Sequence, residues 1–205
     1  MSRGASARLF VAVELPLRVR EELGDWARRA AADVRSRGGQ NTGLRVLAAS
    51  SLHLTLCFLG ARPVGEIDAL AAAVIDCDEQ ACELSVGAPI WLPPRRPRAL
   101  AVEIHDNSGE LAEVQAHVGA FLAGASSWQR ERRRYRPHIT LIRAGRSALG
   151  PRRSSSDRTE RERPLPATPW LSFVPEAIVL YRSWLAPEGA NYEALARGEL
   201  IPAVC

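Results

Sequence analysis

The chain has 205 residues, 46% hydrophobic and 24% charged, with a formal net charge of +4 in which all 27 basic residues are arginine. That size suits one large domain or two lobes sharing a site, and it can bury a core without disulfides or a structural metal. No apolar run approaches the roughly 20 residues needed to span a bilayer. The short apolar stretch near the N-terminus stops at Glu14 and Pro16 with no A-x-A-like cleavage site behind it, so a cytoplasmic protein is expected.

Residues 8 to 14, RLFVAVE, read as a buried strand ended by Pro16. From Val19, apolar residues at Leu23, Trp26, Ala27, Ala30 and Val34 keep a helical spacing that stops near Gly38 and Gly39. The strand LHLTLCFLG follows, and Ile67, Leu70, Ala71 and Val74 predict a second helix. CELSVGAPIWL and RALAVEIH read as two strands joined by the turn PPRRPR. Leu111, Val114, Val118, Phe121 and Leu122 mark a third helix, HITLIR the next strand, and AIVLYRSWL the last strand that stands out. The polar segment 144–168 cannot bury a core and reads as a flexible charged insert in a single domain covering 1–205. The four cysteines, Cys57, Cys77, Cys82 and Cys205, form no C-x-x-C and have no histidine at ligand spacing, so thiols rather than a metal site are expected. No glycine-rich G-x-G-x-x-G or G-K-[ST] loop is present to cradle a nucleotide phosphate.

Two of the four histidines stand in matched settings, H-L-T-L at 53 to 56 and H-I-T-L at 138 to 141. Side chains at i and i+2 of a strand share a face. His53 and Thr55 therefore lie together, with Leu54, Leu56 and Phe58 opposite, and His138 and Thr140 lie together, with Ile139 and Leu141 opposite. Across a groove, two such strands offer two groups that titrate near neutrality and two hydroxyl donors. That set suits in-line displacement at a phosphodiester: one neutral imidazole takes a proton from the nucleophile and one imidazolium protonates the leaving oxygen. The hydroxyls can bond the non-bridging oxygens. Just before the second motif, Arg130, Arg132, Arg133, Arg134 and Arg136 could track an RNA backbone, and Tyr135 could stack a base. Phe10 and Trp91 read as core.

The HLTL and HITL pair resembles that of the two-histidine phosphoesterases, and within them the bacterial and archaeal RNA 2′,3′-cyclic phosphodiesterases, historically called 2′-5′ RNA ligases. RLFVAVELP, LHLTLCFLG, RPHITLIR and AIVLYRSWLAPEGANYEAL look like family segments in family order. The resemblance implies an α+β, bilobal fold of two pseudo-symmetric antiparallel sheets with outer helices and a central cleft. It implies hydrolysis of a terminal 2′,3′-cyclic phosphate to a 2′-phosphomonoester, with His53 as proton donor, His138 as proton acceptor, Thr55 and Thr140 on the phosphate, and no metal or organic cofactor. Family members often carry lysine where this chain has Cys57, and an arginine where Arg143 stands. Strict alternation puts Arg143 opposite His138, so it reaches the phosphate only if the strand ends or bulges there. The expected partners are RNA or oligonucleotide ends bearing a 2′,3′-cyclic phosphate, met by a monomer away from any membrane. The alternatives are a ligase, a phosphodiesterase on another cyclic or 2′-5′-linked nucleotide, and an RNA-binding module without turnover.

Overall fold

The computed structural model describes residues 5–38, 43–94, 97–144, 164–186 and 189–203. The chain runs β1 (Ser6–Val13), α1 (Leu17–Gly38), β2 (Leu44–Val46), β3 (Leu54–Pro63), α2 (Ile67–Ile75), β4 (Glu79–Ala81), β5 (Leu84–Leu92), β6 (Ala99–His105), α3 (Glu110–Ala125), β7 (His138–Ala144), β8 (Ser172–Phe173), β9 (Ala177–Ala186) and β10 (Gly189–Pro202). This is the α+β class that the sequence predicts, and each helix follows its apolar spacing. Val19, Leu23, Trp26, Ala27 and Ala30 of α1 are buried, as are Leu111, Val114, Val118 and Leu122 of α3.

The strands form one ten-stranded sheet in the order β4-β10-β9-β1-β3-β7-β6-β5-β8, with β2 on β7. The two expected sheets are the halves of this one, the first ending in β3 and the second beginning at β7. They meet at one register pair, Leu54 with Ile139. Pairing is antiparallel except between β10 and the short β4. The helices cross over between halves. α1 leaves β1 of the first half and packs on β2 and β7 of the second, whereas α3 leaves β6 of the second and packs on β3 and β4 of the first.

β10, the longest strand, is not apparent from its composition because small residues fill its inner positions. Ala196, Gly198 and Leu200 point inward, alternating with exposed Arg197 and Glu199. A side chain at Gly198 would place its Cβ 2.0 Å from the Val74 carbonyl oxygen at the end of α2, so only glycine lets helix and strand approach this closely. Within the predicted insert, residues 145–163 lie outside the described residues. Its far end is docked rather than free: the Trp26 indole donates to the Ala167 carbonyl at 2.9 Å, and the Thr168 hydroxyl donates to the Gly87 carbonyl at 3.0 Å. Cys57 and Cys77 are buried thiols, whereas Cys82 is disulfide-bonded, which corrects the expectation of thiols there.

Candidate active site

The repeated motif is a repeat in three dimensions, set by strand register. In the first half, β3 pairs with β1 as Leu54–Val13 and Thr55–Ala12; in the second, β7 pairs with β6 as Ile139–Val102 and Thr140–Ala101. Both ladders then skip one residue of the motif strand, Leu56 in one and Leu141 in the other, and resume at Cys57–Val11 and Ile142–Leu100. Each H-x-T-L strand thus carries a β-bulge at the leucine after its threonine. The bulge turns two successive side chains into the core: Leu56 and Cys57 are 4% and 2% exposed, Leu141 and Ile142 both 0%.

The side chains that follow the bulge change face, in β3 as far as a second irregularity at Leu59. Phe58 was expected opposite His53, but it pairs with Phe10, whose ring centroid lies 4.8 Å from that of His53, and it is 43% exposed on the histidine face. Arg143 likewise returns to the face of His138. It is exposed, its charge reaches the His53 imidazole, and its guanidinium has no hydrogen bond or ion pair with a described residue. A further repeat matches these. A-V-E occurs at 12 to 14 and at 101 to 103, on the neighbouring strands and in the same register. Glu103 stands across from His138 and is ion-paired with Arg136 at 2.5 Å, while Glu14 is paired with Arg197 at 3.2 Å.

Leu54 and Ile139 share the core face, so continuing their antiparallel register sets His53 beside Thr140 and Thr55 beside His138 on the other face. The imidazoles are held alike. His53 Nδ1 lies 2.8 Å from the Ser51 carbonyl oxygen and His138 Nδ1 lies 2.8 Å from the Arg136 carbonyl oxygen. A carbonyl only accepts, so Nδ1 is the protonated nitrogen in both rings, and each Nε2 is left as the atom that takes or gives a proton.

Their surroundings differ. His53 packs against Phe10 and edge-on to Tyr192 at 5.2 Å, with Tyr181 at 6.3 Å. Burial pushes its pKa down to about 4; the Arg143 and His138 charges push the same way, and the Ser51 hydrogen bond opposes them. Phe10 is buried, as expected of a core residue, and it packs under the imidazole beside the main apolar cluster, forming the floor of the site. Tyr181 stands on the predicted strand AIVLYRSWL, whereas Tyr192 stands on β10, which the sequence does not mark.

Tyr135 does not stand as a base platform. Its ring packs on the core and its hydroxyl donates to the Thr55 carbonyl at 3.1 Å, with burial raising its pKa. It ties the approach to β7 onto the backbone of β3. All five arginines of the cluster are exposed; Arg130 lies against Gly119 of α3 and Arg136 is held by Glu103. Among the described residues no three His, Cys, Asp or Glu side chains converge. No described helix is long and apolar enough to cross a membrane.

No family model matches the chain. The RNA 2′,3′-cyclic phosphodiesterase of Escherichia coli (strain K12) is 27% identical over 201 residues, covering 94% of this chain and 96% of that protein. E. coli LigT complexed with 3′-AMP superposes with a TM-score of 0.69 at 25% identity, over 96% of this chain and 99% of that one. TT0787 of Thermus thermophilus does so with a TM-score of 0.71 at 25% identity, over 96% of this chain and 100% of that one. In sequence and in fold, over nearly its whole length, the chain resembles the two-histidine phosphoesterases of the RNA 2′,3′-cyclic phosphodiesterase and 2′-5′ RNA ligase type.

Proposed function

We propose that the protein is an RNA 2′,3′-cyclic phosphodiesterase that opens a terminal 2′,3′-cyclic phosphate to a 2′-phosphomonoester by histidine acid–base catalysis. The observation that carries this reading is the Leu54–Ile139 pair, whose continued register brings the two H-x-T motifs together in crossed fashion, with both Nδ1 atoms fixed on carbonyls two residues upstream. The similar E. coli enzyme bears this activity in its name, and E. coli LigT, which resembles this chain in fold, has been seen with 3′-AMP.

In the reaction, neutral His138 takes a proton at Nε2 from a water, whose oxygen bonds to phosphorus. The bond from phosphorus to O3′ breaks, and His53 delivers the proton from its Nε2 to that oxygen. The Thr55 and Thr140 hydroxyls donate to the non-bridging oxygens, and Arg143 offsets the charge gathering there. His53 is neutral in the free protein near pH 7, since its pKa is about 4. As the acid it must gain a proton when substrate binds. The phosphate's negative charge beside the ring favours that form, raising its pKa.

Product analysis of an oligonucleotide ending in a 2′,3′-cyclic phosphate tests the assignment. The expected product is a 2′-phosphomonoester; a 3′-phosphomonoester would reverse the bond cut, and an unchanged substrate would remove the reading. A 2′-5′ dinucleotide in a parallel arm tests the ligase alternative, since the same groups run that step in reverse.

A further inference from the structure

The repeat is broken at one position that faces the cleft. Five residues after each histidine, β7 places Arg143 on the catalytic face, whereas β3 places Phe58 there. Across the ladder from Arg143 stands Ala99; across from Phe58 stands Phe10, and two residues before it on the same face of β1 is Arg8. The Arg8 guanidinium lies over the exposed Phe58 ring at 5.0 Å from its centroid. It makes no hydrogen bond or ion pair with a described residue. The cation that one half carries on its motif strand is thus delivered in the other half from the neighbouring strand, on an aromatic support that holds its plane and leaves its N–H groups outward.

We propose that Arg8 binds the internucleotide phosphate preceding the terminal cyclic phosphate, so that the site is built for oligonucleotide ends rather than for free cyclic mononucleotides. The inference rests on the phosphodiesterase reading and adds a second phosphate subsite to it. Arg8 stands across from Ala61, six residues beyond Thr55 along β3, so it lies away from the reacting phosphorus. Phe58 lies beyond Thr55 along β3, with Phe10 across from it and packed on His53, whereas Arg143 lies beyond Thr140 along β7. A chain leaving the site along the Phe58 end of β3 passes Arg8. Phosphate contacts of this kind position a substrate without reading its bases.

The test compares a mononucleoside 2′,3′-cyclic phosphate with a dinucleotide ending in 2′,3′-cyclic phosphate, for the wild type, Arg8→Gln and Arg8→Lys. We expect the wild type to favour the dinucleotide. Arg8→Gln lowers kcat/KM for the dinucleotide about tenfold more than for the mononucleoside, mainly through KM. Arg8→Lys recovers part of the difference. In Arg8→Gln the slope of log affinity for the dinucleotide product against log salt becomes shallower by about 0.7, one single-strand phosphate contact. Equal loss on both substrates, or none on either, overturns the subsite. If the wild type opens neither substrate, the phosphodiesterase reading falls and the subsite falls with it. If the wild type opens both equally well and Arg8→Gln changes nothing, the subsite alone is lost.

Discussion

The two histidine strands have the same skeleton and opposite furnishings. Each presents an imidazole fixed through Nδ1, a threonine beside it, a leucine bulge behind it, and an A-V-E strand alongside. Around His53 the furnishing is aromatic: Phe10, Tyr181 and Tyr192 exclude water from the ring. Around His138 it is charged, with Glu103 and Arg136 at its side. A duplicated backbone therefore supplies geometry for two proton transfers, while the residues that do not repeat set how readily the His53 ring holds its proton. General acid–base catalysis needs the two rings in opposite states at the start of a turnover, and for His53 that state is reached only with the phosphate bound beside it.

The harshest way to break the comparison is to remove either imidazole. His53→Ala and His138→Ala should each lower kcat/KM by roughly 10²–10⁴-fold, with unchanged circular dichroism. Near-normal turnover in one variant would mean that its half is a binding element only. Removing a hydroxyl is milder: Thr55→Val and Thr140→Val should each cost on the order of 10²-fold in kcat. A loss confined to one of them would show that the phosphate leans on a single strand.

The pH dependence sharpens the contrast. With His53 at about 4 in the free protein, the kcat/KM profile should be a bell whose acidic limb lies near pH 4. In kcat that limb should move to higher pH, because bound phosphate stabilises the imidazolium. The limbs belong to the pair of rings rather than to either one. Tyr192→Ala should let water reach His53 and carry the limb of kcat/KM upward toward 6.5. A profile that rises once and stays flat to pH 9 would leave a single catalytic histidine.

The smallest effect is on stability. The unfolded chain takes up the His53 proton near 6.5 and the folded one only near 4, so the unfolded state binds more protons between these values. The contribution is present above about 6.5 and is lost as pH falls toward 4, by a few kcal/mol at most. His53→Gln should flatten the fall in urea midpoint over that window. An undiminished fall would assign it to other groups.

The helices and the two motif strands were legible because their apolar residues recur at unmistakable spacings. The chemistry was legible because a histidine and a threonine at i and i+2 can only share a face. Alternation failed at Phe58 and Arg143 for one reason: a bulge adds a residue without any mark in composition, since Leu56 and Leu141 look like ordinary core residues on either reading. The second repeat, A-V-E at 12 to 14 and 101 to 103, was visible in principle, but its meaning depends on which strands pair. Tyr192 depends on β10, whose inner positions Ala196 and Gly198 lack the branched residues that announce a strand. Tyr181 sits on the predicted β9, but its place beside His53 depends on how the strands pair. Tyr135 was misjudged because an aromatic among arginines looks like a base platform until its hydroxyl is seen bonded to the Thr55 carbonyl.

The single joint at Leu54–Ile139 has a consequence for direction. A site with two equivalent ends would accept a strand of nucleic acid in either polarity, and half of all encounters would present the wrong oxygen to the acid. The skeleton around the joint offers no preference, because each histidine faces the other strand's threonine. Polarity has to be written by the residues that do not repeat: Arg143 at one mouth, Phe58 with Arg8 at the other, and the tyrosines on one side alone. Exchanging Phe58 and Arg143 would turn the question of which bond is cut into one of which way the chain lies.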